Sequence, residues 1–173
     1  MTDTDFSFDN NLYICKVTAD KKKCPTYLRS IPAVAQLFDR GIGFKKRITV
    51  FMGENGIGKS TLLEAIAAAY GFNPEGGTRN FSFSTYNSHS ELYGALKLSR
   101  GGYPKDGFFL RAESFYNVAS EIERLDNIPA ASPPIIDGYG GVSLHEQSHG
   151  ESFMALAMNR FRGHGLYILD EPE

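Results

Sequence analysis

Along the chain, short apolar runs and helical stripes alternate with turns that are rich in glycine or charge. Residues 47–52 are mostly apolar and β-branched or aromatic, and they predict a buried β-strand. A glycine-rich turn follows, and the next apolar residues, Leu62, Leu63 and Ile66, fall on one side of a predicted helix over residues 61–70. Strand, glycine turn and helix therefore follow one another directly in this part of the chain.

The same patterning continues on both sides of this unit and predicts an α/β fold. The apolar run at 166–169 is continuous, which is typical of a strand buried on both faces of a parallel sheet. The chain has 173 residues, which suits one domain with a hydrophobic core, and we expect that domain to span residues 1–173. The other expected elements are strands at 11–18 and 107–111 and helices at 30–38, 90–98, 115–127 and 151–162.

Composition and charge narrow the classes of protein to which the chain can belong. Hydrophobic residues make up 42% and charged residues 22% of the sequence, as in ordinary soluble globular proteins. No apolar run approaches the about 20 residues of a membrane-spanning helix. The net charge of −2 gives no overall field that would recruit nucleic acid, which stays an open but unsupported partner. The two cysteines form no metal pattern, and we expect reduced thiols in a cytoplasmic protein.

The turn between the predicted strand and helix carries a phosphate-binding motif. It reads Gly53-Glu54-Asn55-Gly56-Ile57-Gly58-Lys59-Ser60-Thr61, which fits the pattern G-x-x-x-x-G-K-[ST] without a mismatch. A strand before the motif and a helix after it are the context that this pattern requires. The sequence therefore predicts a P-loop, the Walker A motif of nucleotide-binding proteins.

The residue types of this loop suit a nucleoside triphosphate. Its glycines take backbone angles that are closed to other residues, so the main chain can approach an anion closely. The loop amides and the helix N-terminus point partial positive charge at phosphates. Lys59 would bridge the β- and γ-phosphates, and the Ser60 hydroxyl would be a Mg²⁺ ligand. The expected phosphate-binding residues are Gly53, Asn55, Gly56, Gly58, Lys59, Ser60 and Thr61.

The last predicted strand ends in a pair of acids that match the Walker B pattern. Four apolar residues are followed directly by Asp170 and Glu171. An acid at the C-terminal end of a parallel strand sits where such sheets bind ligands. Asp170 would then hold Mg²⁺, and Glu171 would polarise the attacking water as a general base. Taken alone, the same residues leave open an acidic turn after a core strand.

The two Walker motifs together, with Asp-Glu-Pro after an apolar strand, resemble the ABC-type ATPases. That family carries a signature, Leu-Ser-Gly-Gly-Gln, which opens a helix before Walker B, and this chain has Gln147-Ser148-His149-Gly150-Glu151 there. Ser148 and Gly150 match, whereas Gln147, His149 and Glu151 depart from the pattern. The resemblance implies an ABC-like mixed sheet with flanking helices. It also implies a homodimer that sandwiches ATP, in which Ser148, His149, Gly150 and Glu151 act on the partner's nucleotide.

Two further features of that family are weak in this sequence. The family presents a Gln after a strand between the Walker motifs, the Q-loop, and here Arg111-Ala112-Glu113 follows the equivalent strand. The resemblance gives Glu113 a role near Mg²⁺ or water, or Arg111 a role at a phosphate, while a surface salt bridge is the alternative. For adenine stacking, Tyr27 has the family's spacing and Tyr13 is a rival, and either aromatic could simply pack.

More widely, the chain resembles a group of small, soluble bacterial proteins known as AAA-family ATPases. The stretches that carry this resemblance are 30–34, 53–56, 109–114, 145–152 and 170–173. The ABC-type family continues after Walker B with a turn and a strand that ends in a switch His, whereas this sequence stops at Glu173. We therefore expect a C-terminally incomplete domain and weak or absent hydrolysis by this chain alone.

Several tasks are compatible with such an ATPase. A soluble ABC-type ATPase is preferred over the ATP-binding subunit of a membrane transporter, because the signature and Q-loop depart from the transporter pattern. DNA-repair relatives carry a long coiled coil between the motifs, but Lys59 and Ser148 are only 89 positions apart and show no sustained heptads. A defence-type ATPase with an unidentified protein partner and a non-hydrolysing nucleotide-binding interaction module both stay open.

The signature region also contains a zinc-protease pattern. His145-Glu146-Gln147-Ser148-His149 reads H-E-x-x-H, which binds zinc when both histidines lie one turn apart on a helix. Glycines frame this stretch as a loop, and the helix signal begins only at Glu151. We therefore do not expect a zinc hydrolase.

Overall fold

The computed structural model describes residues 12–79, 90–129 and 131–172, and these residues form two compact units. The first unit is drawn from residues 12–70 and 90–104, and the second from 71–79 and from the described residues after 104. Each unit combines helices with β-strands, so the α/β class is confirmed.

The first unit contains a three-stranded antiparallel sheet. Strand β1 (Lys16–Ala19) lies in the centre, between β2 (Ile42–Gly43) and β3 (Leu96–Ser99). Helix α1 (Pro32–Asp39) and helix α2 (Lys59–Tyr70) complete the unit. Their buried side chains share one apolar cluster, formed by Cys24, Leu28, Val34, Ala65, Leu92 and Ala95.

The second unit is built on two parallel strands. Strand β4 (Asp106–Arg111) pairs with β5 (Gly165–Asp170) over their whole lengths, so the two strands end side by side. Helices α3 (Phe115–Asp126) and α4 (His149–Arg160) supply the rest of its regular structure. The core of this unit contains Phe108, Leu110, Phe115, Val118, Ala119, Ile122, Tyr139, Leu144 and Leu156.

Most predicted elements are present where the apolar pattern placed them. The predicted helices over 61–70 and 115–127 correspond to α2 and α3, and the parallel pairing expected for 166–169 is found between β4 and β5. Helix α1 begins at Pro32. Proline lacks an N–H, but an amide in the first turn of a helix has no intrahelical acceptor, so no hydrogen bond is lost. Its N-cap is Ile31, which has extended backbone angles and offers no side-chain cap.

The predicted strand at 47–52 was wrong. The structure assigns no strand to these residues, and Ile48, Val50 and Met52 are 83%, 73% and 89% exposed. Apolar alternation supplies strand propensity, but a strand also needs a neighbour for its backbone hydrogen bonds. The ladders found in the described part of the chain join β1 to β2 and β3, and β4 to β5, and leave this segment unpaired.

Smaller differences occur at the ends of other elements. The early strand begins only at Lys16, and residue 11 of the predicted range lies outside the described residues. The predicted helix at 90–98 is instead a short 3-10 helix (Glu91–Ala95) followed by β3, and Ser90 caps its start by accepting the amide of Leu92. Helix α4 begins at His149, two residues before its predicted start. Across the described residues, no helix is long and apolar enough to cross a membrane.

Candidate nucleotide-binding site

The predicted phosphate loop leads directly into helix α2. Lys59 is the first residue of this 12-residue helix, so the amides of the preceding turn stand at a helix N-terminus. Gly56 and Gly58 have φ angles of +82° and +99°, which a residue with a Cβ rarely adopts. Gly53, Asn55 and Gly56 are exposed, so solutes can reach the loop.

The Lys59 ammonium lies over its own loop. Its Nζ atom donates to the carbonyl oxygens of Gly53 at 2.8 Å and Glu54 at 3.0 Å. These are neutral acceptors at an exposed site, whereas a phosphate would offer charged oxygens, which form stronger hydrogen bonds with an ammonium. Ser60 and Thr61 are half-buried in the first turn of α2. The loop can therefore exchange its internal lysine contacts for an anion.

Four predicted site residues lie at the carboxyl ends of β4 and β5. Arg111 and Asp170 are paired in register as the last residues of the two strands. Asp170 is buried at 6% exposure, and Glu171 follows it on the surface. Glu171 has φ +51° and is the one non-glycine residue with a positive φ in the described chain. Such a backbone is costly for a side chain with a Cβ and recurs at functional sites.

The residues at the Q-loop position form an ion pair. A guanidinium nitrogen of Arg111 lies 3.0 Å from a carboxylate oxygen of Glu113, whose side chain is 74% exposed. The Arg111 side chain is only 24% exposed, so the exposed partner of this pair is Glu113. The Glu113 carboxylate can therefore turn toward a ligand at modest cost.

Sequence reasoning did not identify Glu75, which forms hydrogen bonds with Ser114 and Asn117 shortly after β4. The Glu75 carbonyl accepts a hydrogen bond from the Ser114 hydroxyl, and its carboxylate accepts one from Asn117 at 3.1 Å. Nearby, Gly77 and Phe109 exchange two backbone hydrogen bonds of 2.8 and 3.0 Å along the edge of β4. Glu75 lies in a stretch without hydrophobic periodicity, so no pattern in the sequence marks it.

The residues at the signature position form the N-terminus of α4. Ser148 is the N-cap, and Glu151 completes a capping box: its carboxylate accepts the Ser148 hydroxyl at 2.7 Å and the Ser148 amide at 2.9 Å. These two hydrogen bonds hold the pKa of Glu151 below its ordinary value, and the bond from the hydroxyl has the larger effect. Ser148, His149, Gly150 and Glu151 are all exposed.

The histidines of the zinc-like pattern serve different elements. His145 lies in the 3-10 helix Leu144–Glu146, and its Nε2 is 3.1 Å from the Ser120 hydroxyl on α3. Its ring also contacts Tyr116, with 4.3 Å between the centroids. His149 begins α4, so the two histidines do not share a helical face. Among the described residues, no group of three His, Cys, Asp or Glu side chains could hold a metal.

The two aromatic candidates for adenine stacking differ in exposure. Tyr27 belongs to the first unit, as the phosphate loop does, and is 67% exposed in a 3-10 helix (Thr26–Leu28) shortly before α1. Tyr13 is half-buried. Exposure leaves the ring of Tyr27 available for stacking.

A family model described as "AAA domain" matches residues 30–122, which is more than half of the chain. The chain belongs to this AAA domain family. The match contains the whole phosphate loop as well as Arg111 and Glu113. An AAA domain is a nucleotide-binding domain of the ATPase class, which agrees with the prediction from the Walker A motif. No curated protein and no solved structure matches the chain.

The AAA domain match does not extend to every candidate residue. Ser148–Glu151, Asp170 and Glu171 lie beyond its last residue. Family membership therefore supports nucleotide binding at the loop, while the roles of the Walker B acids and of the α4 N-terminus rest on the sequence and on their placement.

Proposed function

We propose that the protein binds ATP with Mg²⁺ and hydrolyses it as a soluble, cytoplasmic ABC-type ATPase. The observation that carries this proposal is the complete phosphate loop at the start of α2 within an AAA domain. In this proposal the loop amides from Gly53 to Gly58 and the first turn of α2, including Thr61, hold the phosphates. Lys59 leaves its carbonyl acceptors and bridges the β- and γ-phosphates.

The residues proposed for Mg²⁺ suit a hard cation. Ser60 offers a hydroxyl in the first turn of α2, and Asp170 offers a buried carboxylate at the end of β5. Oxygen ligands of this kind, completed by water and phosphate, are those that Mg²⁺ prefers. When bound, the ion would neutralise charge that develops on the phosphates. The role proposed for Asp170 is to orient the water shell of the ion.

Glu171 is the proposed general base. Its placement directly after Asp170, on the surface and in a left-handed backbone conformation, supports this role. The carboxylate would accept a proton from the attacking water while the new oxygen–phosphorus bond forms and the bond from the γ-phosphorus to the β,γ-bridging oxygen breaks, so that ADP leaves. Arg111 and Glu113 would stand beside it and contact phosphate or water after their ion pair opens.

The proposed working form is a homodimer with ATP between its subunits. The exposed N-terminus of α4 supports this part of the proposal, because its amides and the Ser148 hydroxyl can face an anion of a second subunit. His149 and Gly150 lie in the same turn. The carboxylate of Glu151 accepts a hydrogen bond from the hydroxyl of Ser148. An additional protein partner is compatible with this arrangement but has no residues assigned to it.

Calorimetric titration with a non-hydrolysable ATP analogue tests the central claim. The wild-type chain should bind the analogue, and Lys59→Ala should weaken binding about tenfold or more, since charge-assisted hydrogen bonds are lost. Lys22→Ala, which removes an exposed lysine from the same unit, is the control and should bind as the wild type does. If the Lys59→Ala variant binds the ATP analogue with the affinity of the wild type, the assignment of the loop as the phosphate site is refuted.

A phosphate-release assay on the same protein distinguishes hydrolysis of ATP from binding alone. A single-turnover phosphate-release assay with protein in excess over ATP should detect slow cleavage that Glu171→Gln removes. Tight binding without any phosphate release would favour the second candidate, a non-hydrolysing nucleotide-binding interaction module.

A further inference from the structure

The first turn of helix α1 lies directly against the phosphate loop. The amide of Ala33 donates to the carbonyl of Ile57 at 3.2 Å. A Cβ atom built on Gly58 would overlap Cγ2 of Ile31 and would lie 3.4 Å from Cβ of Ala33. The loop therefore touches α1 through one hydrogen bond and one close apolar contact, and the contact leaves no space for a side chain at position 58.

This part of α1 is itself firmly held. The carbonyl of Ile31 accepts the amides of Val34 and Ala35, both at 2.9 Å, and the Ile31 amide donates to Leu28 at 3.2 Å. Val34 and Leu37 are fully buried on the inner side of the helix. Ile31 packs against the apolar cluster of the first unit. The half-buried residues Ile31 and Ala33 that touch the loop are therefore anchored to a packed core.

Side-chain hydrogen bonds within the loop run from Lys59 Nζ to the carbonyls of Gly53 and Glu54. Residues 53–56 are exposed, and their neighbours at 48, 50 and 52 are exposed as well. A loop with positive φ angles binds phosphate well only when its amides already converge before the ligand arrives, because ordering on binding costs affinity.

We propose that Ile31 is a positioning residue for nucleotide binding: its Cγ2 methyl, together with the Ala33 amide, fixes the backbone at Ile57 and Gly58 so that the loop amides converge. This inference rests on the proposed function, since it concerns ATP affinity at that loop. Ile31 makes no contact with the phosphates in this view and acts only through the loop. Its contribution should therefore appear in nucleotide affinity and should depend on the atom that touches Gly58.

Three substitutions of Ile31 separate positioning from general stability. Ile31→Val keeps the β-branched Cγ2 methyl and should bind the ATP analogue within about twofold of the wild type. Ile31→Ala removes this methyl and should weaken binding about fivefold to tenfold. Ile31→Leu keeps the volume but moves the branch away from Cβ, and we expect it to weaken binding as alanine does. If Ile31→Ala does not fold, the comparison of leucine with valine decides the question.

Leu96→Ala is the matched control. Leu96 packs against the same apolar cluster, on β3, and is also partly buried. This variant should lower the unfolding midpoint about as much as Ile31→Ala but leave the affinity for the ATP analogue unchanged. Equal losses of affinity in both variants, or wild-type affinity in Ile31→Leu and Ile31→Ala, would overturn the inference.

A double-mutant cycle tests the contact itself. Gly58→Ala should reduce affinity, through its φ of +99° and through the overlap with Ile31. In Ile31→Ala/Gly58→Ala the side chain at 31 ends at Cβ, 3.8 Å from the new methyl carbon, so the overlap is relieved and only backbone strain stays. The double variant should bind more tightly than the sum of the single effects predicts.

Strict additivity in that cycle would refute the coupling of Ile31 to Gly58 while leaving the proposed ATP binding intact. Failure of the wild-type chain to bind the analogue would refute both proposals together. The two failures are therefore distinguishable in one set of titrations.

Discussion

Arg111 and Asp170 stand opposite each other as the last paired residues of the parallel strands β4 and β5. Paired positions of neighbouring strands project to the same face of a sheet, so a guanidinium and a buried carboxylate leave the sheet together at its carboxyl edge. Arg111 also holds the exposed carboxylate of Glu113 at 3.0 Å. Charges of both signs thus meet at the edge where parallel sheets bind ligands.

The carboxylate at this edge should govern the response to Mg²⁺. Asp170→Asn keeps the shape of the side chain but removes its charge, so we expect ATP binding without metal to persist. The tightening of binding by added Mg²⁺ should fall about tenfold to a hundredfold, as for outer-shell metal partners. Titration of ATP with and without Mg²⁺ measures this effect.

Asp106 provides the control for that experiment. It begins β4, at the opposite end of the same strand pair, and lies 3.5 Å from Arg160. Asp106→Asn should leave the response to Mg²⁺ unchanged. If Asp170→Asn and Asp106→Asn respond equally to Mg²⁺, Asp170 has no part in holding the ion.

The neighbouring acid should separate binding from chemistry. Glu171→Gln is nearly isosteric but cannot accept a proton, so the affinity for ATP should stay within about twofold while phosphate release falls at least about a hundredfold. Glu146→Gln removes one exposed acid from the same unit and should affect neither quantity. Undiminished phosphate release by Glu171→Gln would exclude Glu171 as the base.

The elements that could be predicted from the sequence are those with a regular pattern of apolar residues. Val118 and Ile122 are both buried. Because a helix has 3.6 residues per turn, residues four positions apart lie on the same face, and in α3 that face packs against the core. The parallel pairing expected for 166–169 is present, but only Ile168 of this apolar run is buried and the other three residues are half-buried, so the strand is not buried on both faces. Local pattern and tertiary packing therefore agree better in α3 than in β5.

The missed features depend on partners that no local pattern reveals. The segment containing Ile48 and Val50 has the composition of a strand, but strand formation requires a neighbour at hydrogen-bonding distance. Likewise, the sequence identified Gly58 through its motif but gave no sign that Ile31, 27 residues earlier, would lie against it. Glu75 fastens the turn at Ser114 through contacts that span 39 positions.

The capping box of α4 predicts a pH-dependent contribution to stability. Hydrogen bonds from the Ser148 hydroxyl and amide hold the pKa of Glu151 in the folded protein below its ordinary value of 4.5. A carboxylate with a lowered folded pKa stabilises the fold above its unfolded pKa and loses this contribution as the pH falls through the folded pKa. Stability from Glu151 should therefore be constant near neutrality and disappear only below pH 4.5.

Urea unfolding between pH 3 and 7 measures that contribution. The difference in unfolding free energy between the wild type and Glu151→Ala should be constant from pH 7 to about 5 and should shrink toward pH 3. In the Ser148→Ala background the same difference should lose most of its pH dependence, because the hydroxyl that lowers the pKa is gone. A difference that grows on acidification would contradict the capping box as the cause.

The same carboxylate bears on the proposed dimer, because Glu151 engages the hydroxyl that would face the partner's γ-phosphate. Its negative charge and its 2.7 Å hydrogen bond both oppose a phosphate at Ser148. Glu151→Gln should therefore strengthen ATP-dependent dimerisation about twofold to fivefold, whereas Ser148→Ala should weaken it while leaving ATP binding to the monomer unchanged. Sedimentation equilibrium with a non-hydrolysable analogue separates these quantities, and Glu146→Gln controls for the loss of one exposed charge nearby. If Glu151→Gln and Ser148→Ala leave dimerisation unaltered, the N-terminus of α4 does not contact a nucleotide in the partner subunit.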